Sequence, residues 1–408
     1  EPEVLASALR TWQDGKADSA VALFHLASRL QPEDANVPLF MSMMYASQKR
    51  LDSASTYLER GIELAGDDPN YRRRKRQAML ELARGHDAVG FESPVTGQIA
   101  RTRILRDSLE RAITRDSAML AGLIAEWSGK QLRPEVAQAV ERDSTMLATR
   151  LSSARAALPA AEEALRTDSA AVAQAMGPAL RSYEAFLEAF SDDAETALRL
   201  LRRYSLVGLG AEMEAMIQRL AGMDEVSVNE LTQAGVALYN DSHLMHAVQL
   251  LEVATARNPY ARNALFMMCR AYYTLQDDAK LAAAAWQLLQ VDPLNPQSVR
   301  MMAAAWDLAG NRDSTAKYVA LADTGIGWAV TITQLVPTAS STIVNGSVAN
   351  ITPHPLPATT LEFDFLDDGG NVMATATMDV PALQPGGRQQ ITVRVTHGGA
   401  AAWRYRRR

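Results

Sequence analysis

Proline returns in this chain at the interval of a stacked helical repeat. Pro259 and Pro293 stand 34 residues apart, and each closes a segment of the same design. A fixed period of that length marks a supersecondary unit that cannot bury its apolar face alone and must stack on neighbours. In the unit 228–261, Ser227 and Glu230 form a capping box, followed by Gly235, Ala247, Leu251, Ala254 and Pro259. The unit 262–295 carries Cys269, Tyr272, Leu288 and Pro293, and the unit 296–329 opens with Asn295-Pro296, a cap with proline at the first helical position. That unit continues with Ala303, Trp306, Gly310 and Ala322, and a degenerate unit, 194–227, precedes the clear ones with Leu201, Tyr204, Ile217 and Leu220. The same order stands at the start of the chain. Gly15, Ala20, Phe24, Ala27 and Pro32 are followed by Tyr45, Ala54, Leu58 and Gly61, until Gly66-Asp67-Asp68-Pro69 ends the period.

This order of small, aromatic and proline residues resembles the tetratricopeptide repeat family. Small residues let the second helix of each hairpin cross the first closely, and the aromatic fills the space beside the crossing. The resemblance implies a helical-hairpin solenoid whose first helices line a concave surface for peptides or partner helices. Carried onto the clear repeats, that groove is Asn229, Thr232, Tyr239 and Asn240, then Asn263, Phe266, Arg270 and Tyr273, then Gln297, Arg300 and Asp307. Tyr and Arg are the side chains that most often anchor interfaces. The lysines with which the family's best-known variant clamps a peptide carboxylate are absent.

Between the repeats the pattern changes. Residues 1–69 read as N-terminal repeats, and 70–98 as a basic helix start (Arg72, Arg73, Arg74, Lys75, Arg76) with a loop from His86 to Gln98, where Gly90, Pro94 and Gly97 interrupt periodicity. Residues 99–190 read as long helices, a bundle or a projecting hairpin. Ile104, Leu105, Leu109, Ile113, Leu120, Ile124 and Trp127 share one face, Val136 to Leu158 continue after Pro134, and breaks are expected at Pro159 and Pro178. Repeats resume over 191–327.

After Gly327 the period becomes two. Val330-Ile332, Ile343 to Val348, Leu361 to Phe365, Val372 to Met378 and Ile391 to Val395 alternate like half-buried strands, with turn signals at Asn345-Gly346, Asp368 to Asn371 and Pro385 to Gly387. This predicts a small antiparallel β-sandwich of six or seven strands over 328–397, followed by an Arg-rich tail, 398–408. Three stretches, Val344-x-Gly346-x-Val348-x-Asn350, Phe363-Asp364-Phe365-Leu366-Asp367 and Leu383-Gln384-Pro385-Gly386, resemble the FxLYD family of bacterial immunoglobulin-like modules. The middle of the naming motif is changed. The resemblance implies an interaction module in an exported protein, without activity of its own.

The remaining features narrow the function classes. The chain has 408 residues and a net charge of −6, which argues against a general nucleic-acid binder. Cys269 is the single cysteine, so no internal disulfide forms, and it falls where the repeat needs a small residue. No apolar run approaches the ~18 residues of a membrane span. His243 and His246 lie three apart at a helix start without an evident third ligand, and Asp367 to Asn371 lacks the closing Glu of a calcium loop. No nucleophile–base order, phosphate loop or zinc signature is present, so no catalytic residue, cofactor, metal or small-molecule substrate is expected. Arg72, Arg73, Arg74 and Arg76, with Trp403, Arg404, Tyr405 and Arg406, are candidates for contact with a partner or with lipid headgroups. The chain begins at Glu1 without Met, so a preceding segment is expected to be missing; cleavage of a signal peptide or lipoprotein segment is one explanation, and disordered or truncated leading residues are another. The resulting expectation is a non-catalytic scaffold, a structural subunit on the periplasmic face of a membrane-bound complex, photosynthetic reaction-centre or antenna and respiratory complexes being candidates. The alternative is a free periplasmic chaperone or assembly adaptor that binds peptides in the groove. The cytoplasm stays open as a location.

Overall fold

The computed structural model describes residues 2–408. The chain forms two compact units, one running to Gly210 and the other from Ala211 to Arg408.

Among its described residues the first unit has helices and no strand. Two hairpins, α1 (Pro2–Gln13) with α2 (Ala17–Leu30) and α3 (Asn36–Ser47) with α4 (Leu51–Ala65), carry the repeat pattern. Ala20, Phe24 and Ala27 are buried on α2, as are Ala54, Leu58 and Gly61 on α4. Next come α5 (Pro69–Glu92), α6 (Pro94–Trp127), α7 (Pro134–Ala189) and α8 (Ala194–Val207). Helices α6 and α7 form a long antiparallel hairpin, and the C-terminal part of α7 packs along α5.

Two sequence expectations fail in this unit. The loop read over 86–98 is helix, broken only around Ser93, which leaves α5 and starts α6 with Pro94 at its first position. Gly90 is there for packing. A Cβ at this position would lie 2.7 Å from Met176 Sδ and 2.9 Å from the carbonyl oxygen of Ala175, so glycine lets α5 and α7 touch. The breaks expected at Pro159 and Pro178 are also absent, and α7 runs through both. Each proline forfeits a backbone hydrogen bond, but the seam of buried residues from Leu147 to Leu187 holds the helix on both sides.

The second unit joins helices to strands. Its helices are α9 (Gly210–Ala221), α10 (Val228–Asn240), α11 (Leu244–Arg257), α12 (Arg262–Leu275), α13 (Asp278–Val291), α14 (Pro296–Leu308) and α15 (Arg312–Ala320), closed by a π-helical turn at Leu321–Gly325. The expected capping box at Ser227 and Glu230 is formed. Gly235 marks the tight crossing of α10 and α11, where a Cβ would meet Leu251 Cγ at 2.7 Å. Six strands follow, β1 (Trp328–Pro337), β2 (Thr342–Asn350), β3 (Thr359–Leu366), β4 (Val372–Val380), β5 (Arg388–Val395) and β6 (Ala402–Arg407). They form two three-stranded antiparallel sheets, ordered β1-β2-β5 and β4-β3-β6. Val344, Val348, Leu361, Phe363, Phe365, Ile391 and Val393 fill their core.

Two readings of this region are corrected. Asn345-Gly346 is no turn. It lies inside β2, opposite the register shift between Ile332 and Gln334 on β1, where glycine admits the bulged backbone. The Arg-rich tail is strand β6, paired with β3 so that Arg406 faces Glu362 and Arg404 faces Asp364.

Candidate partner-binding surface

In the second unit the first helix of each hairpin, α10, α12 and α14, carries the residues expected in the groove. Asn229, Asn240, Asn263, Arg270, Tyr273, Gln297, Arg300 and Asp307 are exposed, whereas Tyr239 and Phe266 are half-buried. Thr232 is buried, and its hydroxyl donates to the Val228 carbonyl at 2.7 Å, so it serves its own helix. The guanidinium of Arg270 lies 5.0 Å from the centre of the Tyr239 ring, a cation–π contact across adjacent hairpins. Tyr273 stands 45% exposed one position beyond the buried Tyr272. Arg300 is engaged by Asp323 at 3.0 Å, which takes it out of the free set. Phe266 lies under Arg262, at 4.9 Å.

The β-strands meet the repeats at the residues that precede the recurring prolines. Asn258 and Asp292 are both fully buried and occupy the same repeat position. The amide of Asn258 donates to the Asp367 carbonyl at 3.0 Å, in the β3–β4 hairpin. Asp292 accepts from Tyr405 on β6 (2.8 Å), Arg262 Nε (2.9 Å), Asn295 (2.9 Å) and Ser298 (3.3 Å). Burial pushes the Asp292 carboxyl up from the ordinary carboxylate value against the pull of Arg262, and it pushes the Tyr405 phenol well up as well. Asp368 caps the start of α10 by accepting from Val228 N at 3.2 Å, and Val330 N donates to the Leu294 carbonyl at 2.8 Å.

A cleft of about 290 Å³ lies beside these contacts, between the helices and the strands. It is lined by Asn229, Thr232, Tyr260, Arg262 and Asn263 from the helical part, by Ile332 to Leu335 and Pro337 from β1, and by Ala400 to Trp403. Three of the expected groove residues therefore meet at this cleft. Tyr239, Asn240, Phe266, Arg270, Tyr273, Gln297, Arg300 and Asp307 lie outside it. Tyr260, Arg262, Asp292 and the edge of β1 were missed by sequence reasoning. The signal for Asp292 was its place before a repeated proline, 34 residues after Asn258.

The candidates for partner or lipid contact are placed differently from expectation. Trp403 and Tyr405 are buried, 7% and 3% exposed, so they pack inside the unit. Arg404 bonds Asp364 at 2.9 Å and covers the Tyr260 ring at 4.7 Å. Arg406 pairs with Glu362 and Asp364, and Arg408 with Glu362. Both acids are buried on β3, so the tail's charge neutralises its own sheet. In the first unit, Arg74 lies 3.8 Å over the Phe40 ring, Arg72 reaches Phe190 and Arg76 pairs with Asp193, which leaves Arg73 as the exposed member without such an anchor. Burial also pushes the Cys269 thiol up to about 12, an inert core thiol. Among the described residues no three His, Cys, Asp or Glu side chains gather to hold a metal ion, and no helix is long and apolar enough to cross a membrane.

Residues 11–78 match the tetratricopeptide repeat family. No curated protein matches the chain. Among solved structures, that of MamA is 22% identical with a TM-score of 0.28, over 38% of this chain and 91% of that one. The tetratricopeptide domain of P58(IPK) is 14% identical with a TM-score of 0.22, over 79% of this chain and 92% of that one. Yeast Tom70 is 10% identical with a TM-score of 0.24, over 79% and 84%. Likeness of this degree carries nothing about partners. The chain is mainly α, with helical hairpins of the tetratricopeptide kind followed by a small antiparallel β module.

Proposed function

We propose that this protein is a non-catalytic scaffold that binds other polypeptides, and that it serves as an accessory subunit on the periplasmic face of a bacterial membrane-bound complex. The observation that carries the scaffold reading is the row of exposed amide, tyrosine and arginine side chains on α10, α12 and α14, with Arg270 stacked on Tyr239 and Tyr273 open beside it. Aromatic and guanidinium groups held rigidly in this way anchor protein interfaces at low entropic cost. The periplasmic setting rests on the resemblance of the β module to exported immunoglobulin-like domains. Photosynthetic and respiratory assemblies remain the candidates for the complex.

Mild-detergent solubilisation of native membranes, size separation and mass spectrometry test the reading. Stoichiometric co-migration with a large membrane complex is the expected result. Migration alone in the soluble fraction rejects the subunit reading and favours the free peptide-binding adaptor. Arg270→Ala with Tyr273→Ala should weaken partner association by about tenfold or more.

A further inference from the structure

We propose that the cleft between α10, α12 and β1 takes an extended polypeptide segment as an added strand on the outer edge of β1. This rests on the reading of the protein as a binder of polypeptides and names a second place where one is held.

The sheet order β1-β2-β5 leaves β1 at an edge. The chain already uses that edge once, where Val330 N donates to the Leu294 carbonyl at 2.8 Å. Main-chain groups on an antiparallel strand alternate between the partner and the open side, so the N–H and C=O of Ile332 point outward like those of Val330. The register shift between Ile332 and Gln334 inserts one residue, which makes Leu335 the next outward position. No main-chain bond outside the ladders involves Ile332 or Leu335 among the described residues. Pro337 has no N–H and ends the usable edge.

Open edges are hazards that proteins blunt with charge. The stretch Thr331 to Val336 contains no charged residue. Its protection is its position, because these β1 residues line the 290 Å³ cleft together with Asn229 and Asn263. That volume is near the lower end of the ~300–1,000 Å³ of ligand pockets. It suits one extended chain and excludes a helix, which with side chains is about 10–12 Å across. The walls also define the ligand. Ile332, Leu335 and Ala400 to Ala402 in the lining call for small apolar side chains at alternate positions. The amides of Asn229 and Asn263 call for hydroxyl or amide side chains between them.

The test uses the full chain and a displayed library of random peptides of about ten residues. For each binder, affinity is measured together with amide hydrogen exchange. Occupancy should slow exchange at Ile332 and Leu335, and N-methylation of the peptide at alternate residues should weaken binding about tenfold or more. Leu335→Pro should weaken it similarly, since that amide has no ladder partner to lose. The N-methylated peptides keep the test decisive if the proline variant folds poorly. Binders that slow exchange only on the helices and ignore N-methylation overturn the added-strand mode and leave the scaffold reading standing. Absence of any binder at about 1 mM overturns the strand site, and the scaffold reading falls only if co-purification also yields no partner.

Discussion

In the first unit a carboxylate on α5, Asp87, accepts from Arg203 of α8 at 2.5 and 2.8 Å and from Tyr183 of α7 at 3.3 Å. In the second unit Asp292 accepts from Arg262 at 2.9 Å and from Tyr405 at 2.8 Å. Both units bury an acid held by one arginine and one tyrosine, but the partners differ in kind. Asp87 ties three helices of one layer together. Asp292 sits at the end of α13, and its tyrosine comes from a β-strand 113 residues later. The first arrangement orders a helical stack. The second attaches a separate module to the stack and takes two further donors, Asn295 and Ser298, to do so. A buried acid is costly unless fully paired, so the number of donors measures how much the position depends on them.

The largest expected effect follows from removing these acids. Asp292→Ala leaves the buried Tyr405 and the half-buried Arg262 without their acceptor and should cost about 3 kcal/mol or more, the lower end of the range for breaking a buried pair. Asp87→Ala should cost less, since Asp87 is 5% exposed and Asp292 fully buried. Chemical denaturation gives the size, and hydrogen exchange the place: Asp292→Ala should free β6 and the start of β1, and Asp87→Ala only α5, α7 and α8. Protection of β6 that survives Asp292→Ala would break the comparison.

The two junctions also show what was legible in the sequence. The prolines, Gly235, Ala247 and Phe24 were readable because helix crossing is a local steric demand that repeats with the period. Asn258 and Asp292 obey the same period, yet their partners Asp367 and Tyr405 lie over a hundred residues away, and periodicity does not name them. The exposed side chains on α10, α12 and α14 could be listed from the repeat register. The cleft could not, because half of it is main chain on β1. The arginines of the tail read as free charge for the same reason, their acids on β3 being some forty residues upstream. Around 86–98 the error was one of kind. Glycine serves both turns and close helix contact, and composition alone does not separate the two.

Gly90 and Gly235 extend the comparison to packing. At Gly90 an added methyl meets Met176 Sδ and a backbone carbonyl that cannot move away, whereas at Gly235 its nearest neighbours are atoms of the buried Leu251 side chain and not backbone. Gly90→Ala should cost about 1–3 kcal/mol, as overpacking does. Gly235→Ala should cost less, because Leu251 yields and alanine regains up to ~1 kcal/mol of helix propensity. Equal thermal shifts in the two variants would show that α7 adjusts as freely as Leu251.

The tyrosines sharpen it through pH. Burial and Asp87 push the Tyr183 phenol up to about 12, and burial with Asp292 pushes Tyr405 well up. A phenol raised in the folded state ionises first in the unfolded chain. Its contribution is therefore complete below the ordinary value near 10 and is lost as pH rises towards the folded value. Denaturation midpoints followed from pH 9 to 11.5 should fall above about 10. Tyr405→Phe should flatten that fall in the second unit more than Tyr183→Phe does in the first. A slope unchanged by Tyr405→Phe would mean that this phenol reaches solvent before unfolding.

Ion pairs give the smallest effects and the finest contrast. Lys49 and Glu92 in the first unit pair at 2.7 Å with both side chains more than half exposed, 54% and 64%. Arg406 is 60% exposed too, but its acids Glu362 and Asp364 are 2% and 7% exposed. Glu92→Gln should change stability by no more than about 0.5 kcal/mol, the scale of exposed pairs, and that change should vanish at high salt. Arg406→Ala should cost about 1 kcal/mol or somewhat more. It weakens the neutralisation of two acids already out of water, although Arg408 and Arg404 each retain one of them. Salt screens solvent paths and not buried ones, so the Arg406 effect should persist at about 1 M salt. If both effects disappear together, the acids of β3 are wetter than their burial indicates, and the tail arginines become free to meet a partner after all.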